Sequence, residues 1–163
     1  MNTNNEKAVF PKNMLLKYEF YMKIALELAS KAVNKTYPNP LVGAVIVAEN
    51  DKIIGKGYHT AYGNSHAEVE AINSVSETDK PKLKNSTLFV NLEPCCHYGK
   101  TPPCVDAILK AGIKKVVVAN IDPNPQVCGG GIKILREHDV EVVSGILEAE
   151  GLSLNKIFFE RFE

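Results

Sequence analysis

The run Leu92-Glu93-Pro94-Cys95-Cys96-His97-Tyr98-Gly99-Lys100-Thr101-Pro102-Pro103-Cys104, taken with His66-Ala67-Glu68, places the tightest constraint on how this chain can fold. It offers one imidazole, two thiols and a carboxylate that is not needed as a ligand. Three soft ligands plus a spare acid form the minimum kit for a metal that activates water. A fold that uses them must bring residue 66 and the 95–104 loop to one point.

The local pattern supplies the pieces. Tyr21, Ile24, Ala25, Leu28, Ala29 and Ala32 recur at helical spacing and predict a helix over 18–34. The prolines of Tyr37-Pro38-Asn39-Pro40 stop it. Residues 41–48 are almost continuously apolar, which predicts a strand buried on both faces. A turn at 49–51 returns the chain as a second strand over 52–58. Further helices are predicted over 65–75, 102–112, 132–138 and 146–162, and further strands over 86–92, 115–119 and 140–143. Asp122-Pro123-Asn124-Pro125 reads as a rigid turn and Gly129-Gly130-Gly131 as a flexible one. The alternation predicts a three-layer α/β/α sandwich with a mixed five-stranded sheet: one antiparallel pair, the rest joined by crossovers. Functional loops are expected at one end of that sheet.

At 163 residues the chain suits one domain. Residues 1–17 read as a flexible arm and 18–163 as a single domain. Lys+Arg and Asp+Glu both number 19, and no run of like charge occurs. That balance lacks the footprint of a protein that holds long nucleic acid. A small anionic substrate needs only a few placed groups. No stretch has the length of a membrane span, and the polar N-terminus lacks a signal-peptide core. The default compartment is the cytoplasm, where four cysteines are metal ligands or free thiols rather than disulfides.

Each candidate ligand has a plainer reading. Ser65-x-x-Glu68 matches a capping box, in which Glu68 folds back on the helix start. Residues 66 and 68 do not share a helix face, so a common target must lie over the helix end, where side chains tilt. Thr101 fits an N-cap and Pro102 a first helical position, which puts Cys104 in the first turn, where the dipole favours a thiolate. A lone cysteine is most simply a small buried residue. The coincidence of His-x-Glu with a later Pro-Cys and a further Cys changes the odds, because that order is the zinc deaminase signature. Here the second gap is long, with eight residues between Cys95 and Cys104.

At these residues the chain resembles the deaminase domain of the bacterial riboflavin-biosynthesis deaminase/reductase family. The resemblance runs over about 21–162. Its anchors include Asn39-Pro40-Leu41-Val42-Gly43-Ala44-Val45, Gly57-Tyr58-His59, His97 to Cys104 and Asp122-Pro123-Asn124-Pro125. It implies one zinc per chain on His66, Cys95 and Cys104, with Glu68 as proton shuttle. It implies that Asn39, His59, His97, Lys100, Asp122 and Asn124 line the substrate pocket. The implied reaction is hydrolytic deamination of 2,5-diamino-6-ribosylamino-4(3H)-pyrimidinone 5′-phosphate. Family members usually carry Ser at Cys96 and a small residue at Cys128, so both thiols read as packing. The usual enzyme continues into an NADPH-dependent reductase domain, and this chain ends at Glu163 without one. The resemblance also implies self-association.

Two other readings compete. Another nucleobase deaminase, acting on cytosine, guanine or a tRNA adenosine, would share the ligands. A non-catalytic zinc-stabilised docking module would share them too, but has no use for Glu68 beside an open metal position.

Overall fold

The computed structural model describes residues 10–99, 101–127 and 129–163. Five strands form one sheet: β1 (Gly43–Val47), β2 (Ile53–Tyr58), β3 (Thr87–Leu92), β4 (Lys115–Asn120) and β5 (Glu141–Ser144), in the order β2-β1-β3-β4-β5. β1 is buried at every position, as expected for a strand covered on both faces. The sheet is mixed, but it has two antiparallel pairings rather than one. β1 pairs antiparallel with β2 across the tight turn and antiparallel with β3 on its other edge, while β3, β4 and β5 are parallel. β1 is therefore the single reversed strand. The C-terminal ends of β2, β3 and β4 and the N-terminal end of β1 meet at one edge of the sheet. That edge is where crevices form in open α/β sheets.

Helices cover both faces. On one, α1 (Lys12–Ser30) buries Tyr18, Tyr21, Met22, Ala25 and Leu28 against Val45, Phe89 and Val117. α5 (Glu148–Leu154) packs between α1 and β4. On the other face, α2 (Ala67–Ser74), α3 (Cys104–Ala111) and α4 (Gly130–Glu137) bury Ala71, Val105, Ile108, Ile132 and Leu135 against Ile46, Leu88, Val90 and Val116. This is the expected three-layer α/β/α arrangement. No helix among the described residues is long and apolar enough to cross a membrane.

Several boundaries move, each for a local reason. α1 begins at Lys12, so residues 12–17 are helical rather than part of an arm. Pro11 precedes its first turn, and Phe10 packs edge-on against Tyr18 with ring centroids 5.6 Å apart. α3 starts at Cys104, two residues after the expected start, with Pro103 in extended geometry before it. A residue before proline is pushed out of the helical region, which excludes both Thr101 and Pro102. α2 likewise starts at Ala67 after an extended His66. The expected helix over 146–162 breaks at Asn155 into α5 and α6 (Lys156–Glu160). A short 3₁₀ turn, Lys80–Leu83, was not anticipated.

The glycine run is not simply flexible. Gly129 sits at φ +74°, but Gly131 lies inside α4, where a Cβ would stand 2.0 Å from the Pro94 carbonyl oxygen. The helix is pressed onto the backbone of the cysteine loop. Gly43 marks a second close approach: a Cβ there would lie 2.0 Å from the Ala25 carbonyl oxygen and 2.8 Å from the Ala29 nitrogen. Neither backbone atom can yield without moving α1 off the sheet. The Gly43→Ala substitution is expected to lower the unfolding free energy by about 3 kcal/mol in urea denaturation. An unchanged midpoint would show that α1 does not bear on β1 at this position.

Candidate active site

The three candidate ligands converge at the edge where the strand ends meet. His66 precedes α2, Cys95 follows β3, and Cys104 opens α3. His66 Nδ1 lies 3.1 Å from Cys104 Sγ and 3.6 Å from Cys95 Sγ, and the three donor atoms fall within 4.8 Å of one another. Tetrahedral zinc bonds of about 2.3 Å to sulfur and about 2.0 Å to nitrogen put donors about 3.5–3.8 Å apart, so the set fits zinc in chemistry and in scale. The start of α3 serves the cluster directly. The Cys104 N–H donates to Cys95 Sγ at 3.2 Å, and the Val105 N–H donates to the Cys95 carbonyl. Two orphan amides of the helix N-terminus are thereby satisfied by one residue. Hydrogen bonding from Cys104, and then from His66, lowers the Cys95 thiol to about 4 despite its burial. Cys104, the donor in that pair, is pushed far up. A bound cation would draw off that remaining proton.

Glu68 does not fold back as a capping residue. The N-cap of α2 is His66, and the helix start has no side-chain cap hydrogen bond. The carboxyl is instead buried, 4% exposed, and faces a cleft of ≈ 240 Å³ that His66 and Cys95 also line. Burial pushes its pKa up, with the negative charge of Cys95 acting the same way and the hydrogen bond with Cys104 opposing. A carboxyl so placed exchanges protons more readily near neutral pH than an exposed one.

The same cleft gathers Asn39, His59, His97, Asp122 and Asn124. Lys100, the sixth residue expected in the pocket, lies outside the described residues, as does Cys128. His59 is buried, with Nδ1 3.0 Å from the Ser65 carbonyl oxygen. A carbonyl only accepts, so Nδ1 carries the hydrogen and Nε2 accepts from Asn39 Nδ2 at 3.2 Å. Burial lowers the His59 pKa, and the neighbouring His66 adds to that, which keeps the ring neutral. Asp122 caps its own turn, its Oδ1 accepting from the Asn124 N–H at 2.9 Å. Burial raises its pKa against that hydrogen bond. Cys96 stands apart from the donor cluster. Its side chain packs toward the core beneath α2–α4, beside Gly130, where a Cβ would lie 2.9 Å from the sulfur.

Sequence reasoning assigned no role to the group that holds this end together. Glu93 is 3% exposed. Its Oε1 accepts from the N–H groups of Asp122 and Gly129 at 3.2 and 2.9 Å, and its Oε2 from that of Ile132 at 3.2 Å. One carboxylate thus fixes the Asp122–Asn124 turn to the cysteine loop and to α4. The signal available in sequence was an acid following the apolar residues of a buried strand.

Comparison with known proteins places this geometry. The family described as "Cytidine and deoxycytidylate deaminase zinc-binding region" matches residues 16–120. The riboflavin biosynthesis protein RibD of Aquifex aeolicus is 52% identical over 139 residues, which is 85% of this chain but only 38% of that protein. A diaminohydroxyphosphoribosylamino-pyrimidine deaminase of Buchnera aphidicola is 47% identical over 146 residues, 90% of this chain and 96% of that one. Among solved structures, Acinetobacter baumannii RibD superposes with a TM-score of 0.86 at 44% identity, over 91% of this chain and 41% of that chain. The Aspergillus oryzae Rib2 deaminase, solved in complex with DARIPP, superposes with a TM-score of 0.68 at 26% identity, over 90% of this chain and 93% of that one. The chain spans well under half of the RibD proteins, yet nearly all of the Buchnera deaminase. With a family match over most of its length and a relative covered almost end to end, the chain belongs to the zinc-binding cytidine and deoxycytidylate deaminase family, on the branch of the diaminohydroxyphosphoribosylamino-pyrimidine deaminases.

Proposed function

We propose that this chain catalyses the hydrolytic deamination of 2,5-diamino-6-ribosylamino-4(3H)-pyrimidinone 5′-phosphate to the 5-aminouracil nucleotide and ammonia, an early step of riboflavin biosynthesis, in the cytoplasm. The observation that carries the reading is the shared cleft. Glu68, two of the three clustered donors and five pocket residues of the deaminase pattern line one cavity. The names of the relatives supply the substrate.

His66, Cys95 and Cys104 would hold one zinc ion. Bound there, zinc supplies the Lewis acidity that makes water a nucleophile at neutral pH. Glu68 takes the proton of the attacking water. The water oxygen adds to the ring carbon that bears the amino group. Glu68 returns that proton to the ring nitrogen, takes the remaining proton from the added hydroxyl and delivers it to the amine, the C–N bond breaks, ammonia leaves and a carbonyl remains. His59 accepts from the Asn39 amide nitrogen, which leaves the Asn39 carbonyl oxygen as an acceptor for a substrate N–H. Asp122 and Asn124 present their remaining polar atoms from a turn that Glu93 holds rigid.

A docking module would bind zinc without turnover. Replacing Glu68 by Gln is expected to leave stoichiometric zinc, read by elemental analysis, and to cut ammonia release by about a thousandfold. Wild-type protein that binds zinc but releases no ammonia from this nucleotide, or from cytosine, cytidine or guanine, would support the module instead. Replacing Glu93 by Gln turns one acceptor into a donor facing backbone N–H groups. It is expected to raise KM about tenfold, through a displaced Asp122–Asn124 turn, with zinc content retained. An unaltered KM would show that the turn holds its place without the carboxylate.

A further inference from the structure

Part of the wall of the cleft comes from the last helix. Phe158, on α6, lines the cavity together with Asn39 and Pro40. Its place is set by Asn155, which breaks the helix and turns its side chain inward, 5% exposed. Asn155 Oδ1 accepts from the Leu41 N–H at 2.8 Å, and Asn155 Nδ2 donates to the Leu41 carbonyl at 2.8 Å. The side-chain amide pairs with Leu41 as a neighbouring strand would. The segment that carries Asn39 is thereby locked to the segment that carries Phe158.

Arg161 sits one turn beyond. Its guanidinium carbon lies 4.9 Å from the centroid of the Tyr37 ring and 5.9 Å from that of Phe158. Phe158 lines the cleft, and Tyr37 stands two residues before the lining residue Asn39 in the chain. Arg161 is exposed and makes no ion pair among the described residues. A guanidinium held over aromatic rings by cation–π attraction keeps N–H donors available for an anion such as a phosphate. The aromatic contact also restricts the side chain before any anion arrives, so less side-chain entropy is lost on binding.

We propose that Arg161 reads the 5′-phosphate of the nucleotide at the mouth of the cleft, with Phe158 as the wall along which the rest of the substrate lies. This rests on the deaminase reading above and adds to it the group that distinguishes a nucleotide from a free nucleoside. The ring end of the substrate meets Asn39, His59 and Glu68, and the charged end meets the C-terminal turn. Discrimination against the dephosphorylated compound then arises at residue 161, away from the reacting atoms.

The test compares ammonia release from the diaminopyrimidine ribosylamine 5′-phosphate and from its dephosphorylated counterpart. The proteins are wild type, Arg161→Gln and Arg161→Lys, with zinc content and thermal midpoint measured on each. Wild type is expected to favour the phosphorylated compound in kcat/KM. Arg161→Gln is expected to shrink that preference by about 10- to 100-fold, mostly through KM. Arg161→Lys is expected to recover part of it, because the charge remains and the fork is lost. Wild-type turnover with an unaltered preference in Arg161→Gln overturns the proposal alone. An equal loss on both compounds also overturns it, since that is what a merely structural residue would give. Wild-type protein that deaminates neither compound overturns the functional reading and this proposal with it.

Discussion

Opening a cleft at the end of a sheet leaves backbone groups without strand partners, and the cleft end of this molecule depends on how they are satisfied. β1 and β3 stay paired only down to Ala44 and Val90. Beyond that point the chain from Leu41 to Gly43 has polar groups in the protein interior that need partners. Two buried asparagines supply them. Asn91 accepts from the Gly43 N–H at 2.8 Å and donates to the Leu41 carbonyl at 3.0 Å, while Asn155 pairs with both polar groups of Leu41. Each amide does with its side chain what a strand would do with its backbone. The sheet edge can therefore splay apart without leaving a buried side-chain nitrogen or oxygen unsatisfied among the described residues.

The same device recurs with a carboxylate. Glu93 gathers three N–H groups from the turn after β4 and from the start of α4, next to the loop that carries Cys95. Cys95 in turn satisfies the first two amides of α3 with its sulfur and its carbonyl. The Cys95 loop, the start of α3 and the Asp122–Asn124 turn are coupled through short side chains, each shared between elements distant in sequence. Close helix approaches at Gly43 and Gly131 remove the slack that would let these pieces drift. The cost of such a design is that polar groups sit in the interior, where an unpaired partner costs about 1–3 kcal/mol.

The chemical content of the site was legible in the chain because it depends on residue type and order. His66, Glu68, Cys95 and Cys104 could be named from spacing, and the long gap before Cys104 left room for His97. The capping-box reading of Glu68 fails for a reason of backbone geometry, and a proline pair shifts the helix start beside Cys104. Ser65 could not act as the cap once His66 took the extended position at the helix start, and paired prolines delayed α3 to Cys104. The apolar spacing over 146–162 predicts one continuous final helix. It breaks because Asn155 has a long-range partner in Leu41, which local periodicity does not register.

The sequence by itself determined the candidate donor set and the acid beside it, the alternation of helices and strands, and the three-layer sandwich. These follow from side-chain chemistry and from periods of two and 3.6 residues, which are local properties. Only the tertiary structure decided that β1 would lie reversed between β2 and β3, so that four strand ends and three helix starts share one edge. Only it decided that Glu93, Asn91 and Asn155 would hold that edge, and that Phe158 would line the cleft. Those outcomes rest on hydrogen bonds and burial between segments up to 114 residues apart. No local pattern encodes such a pairing, because its physical cause is the need of one buried backbone segment for a partner supplied by another.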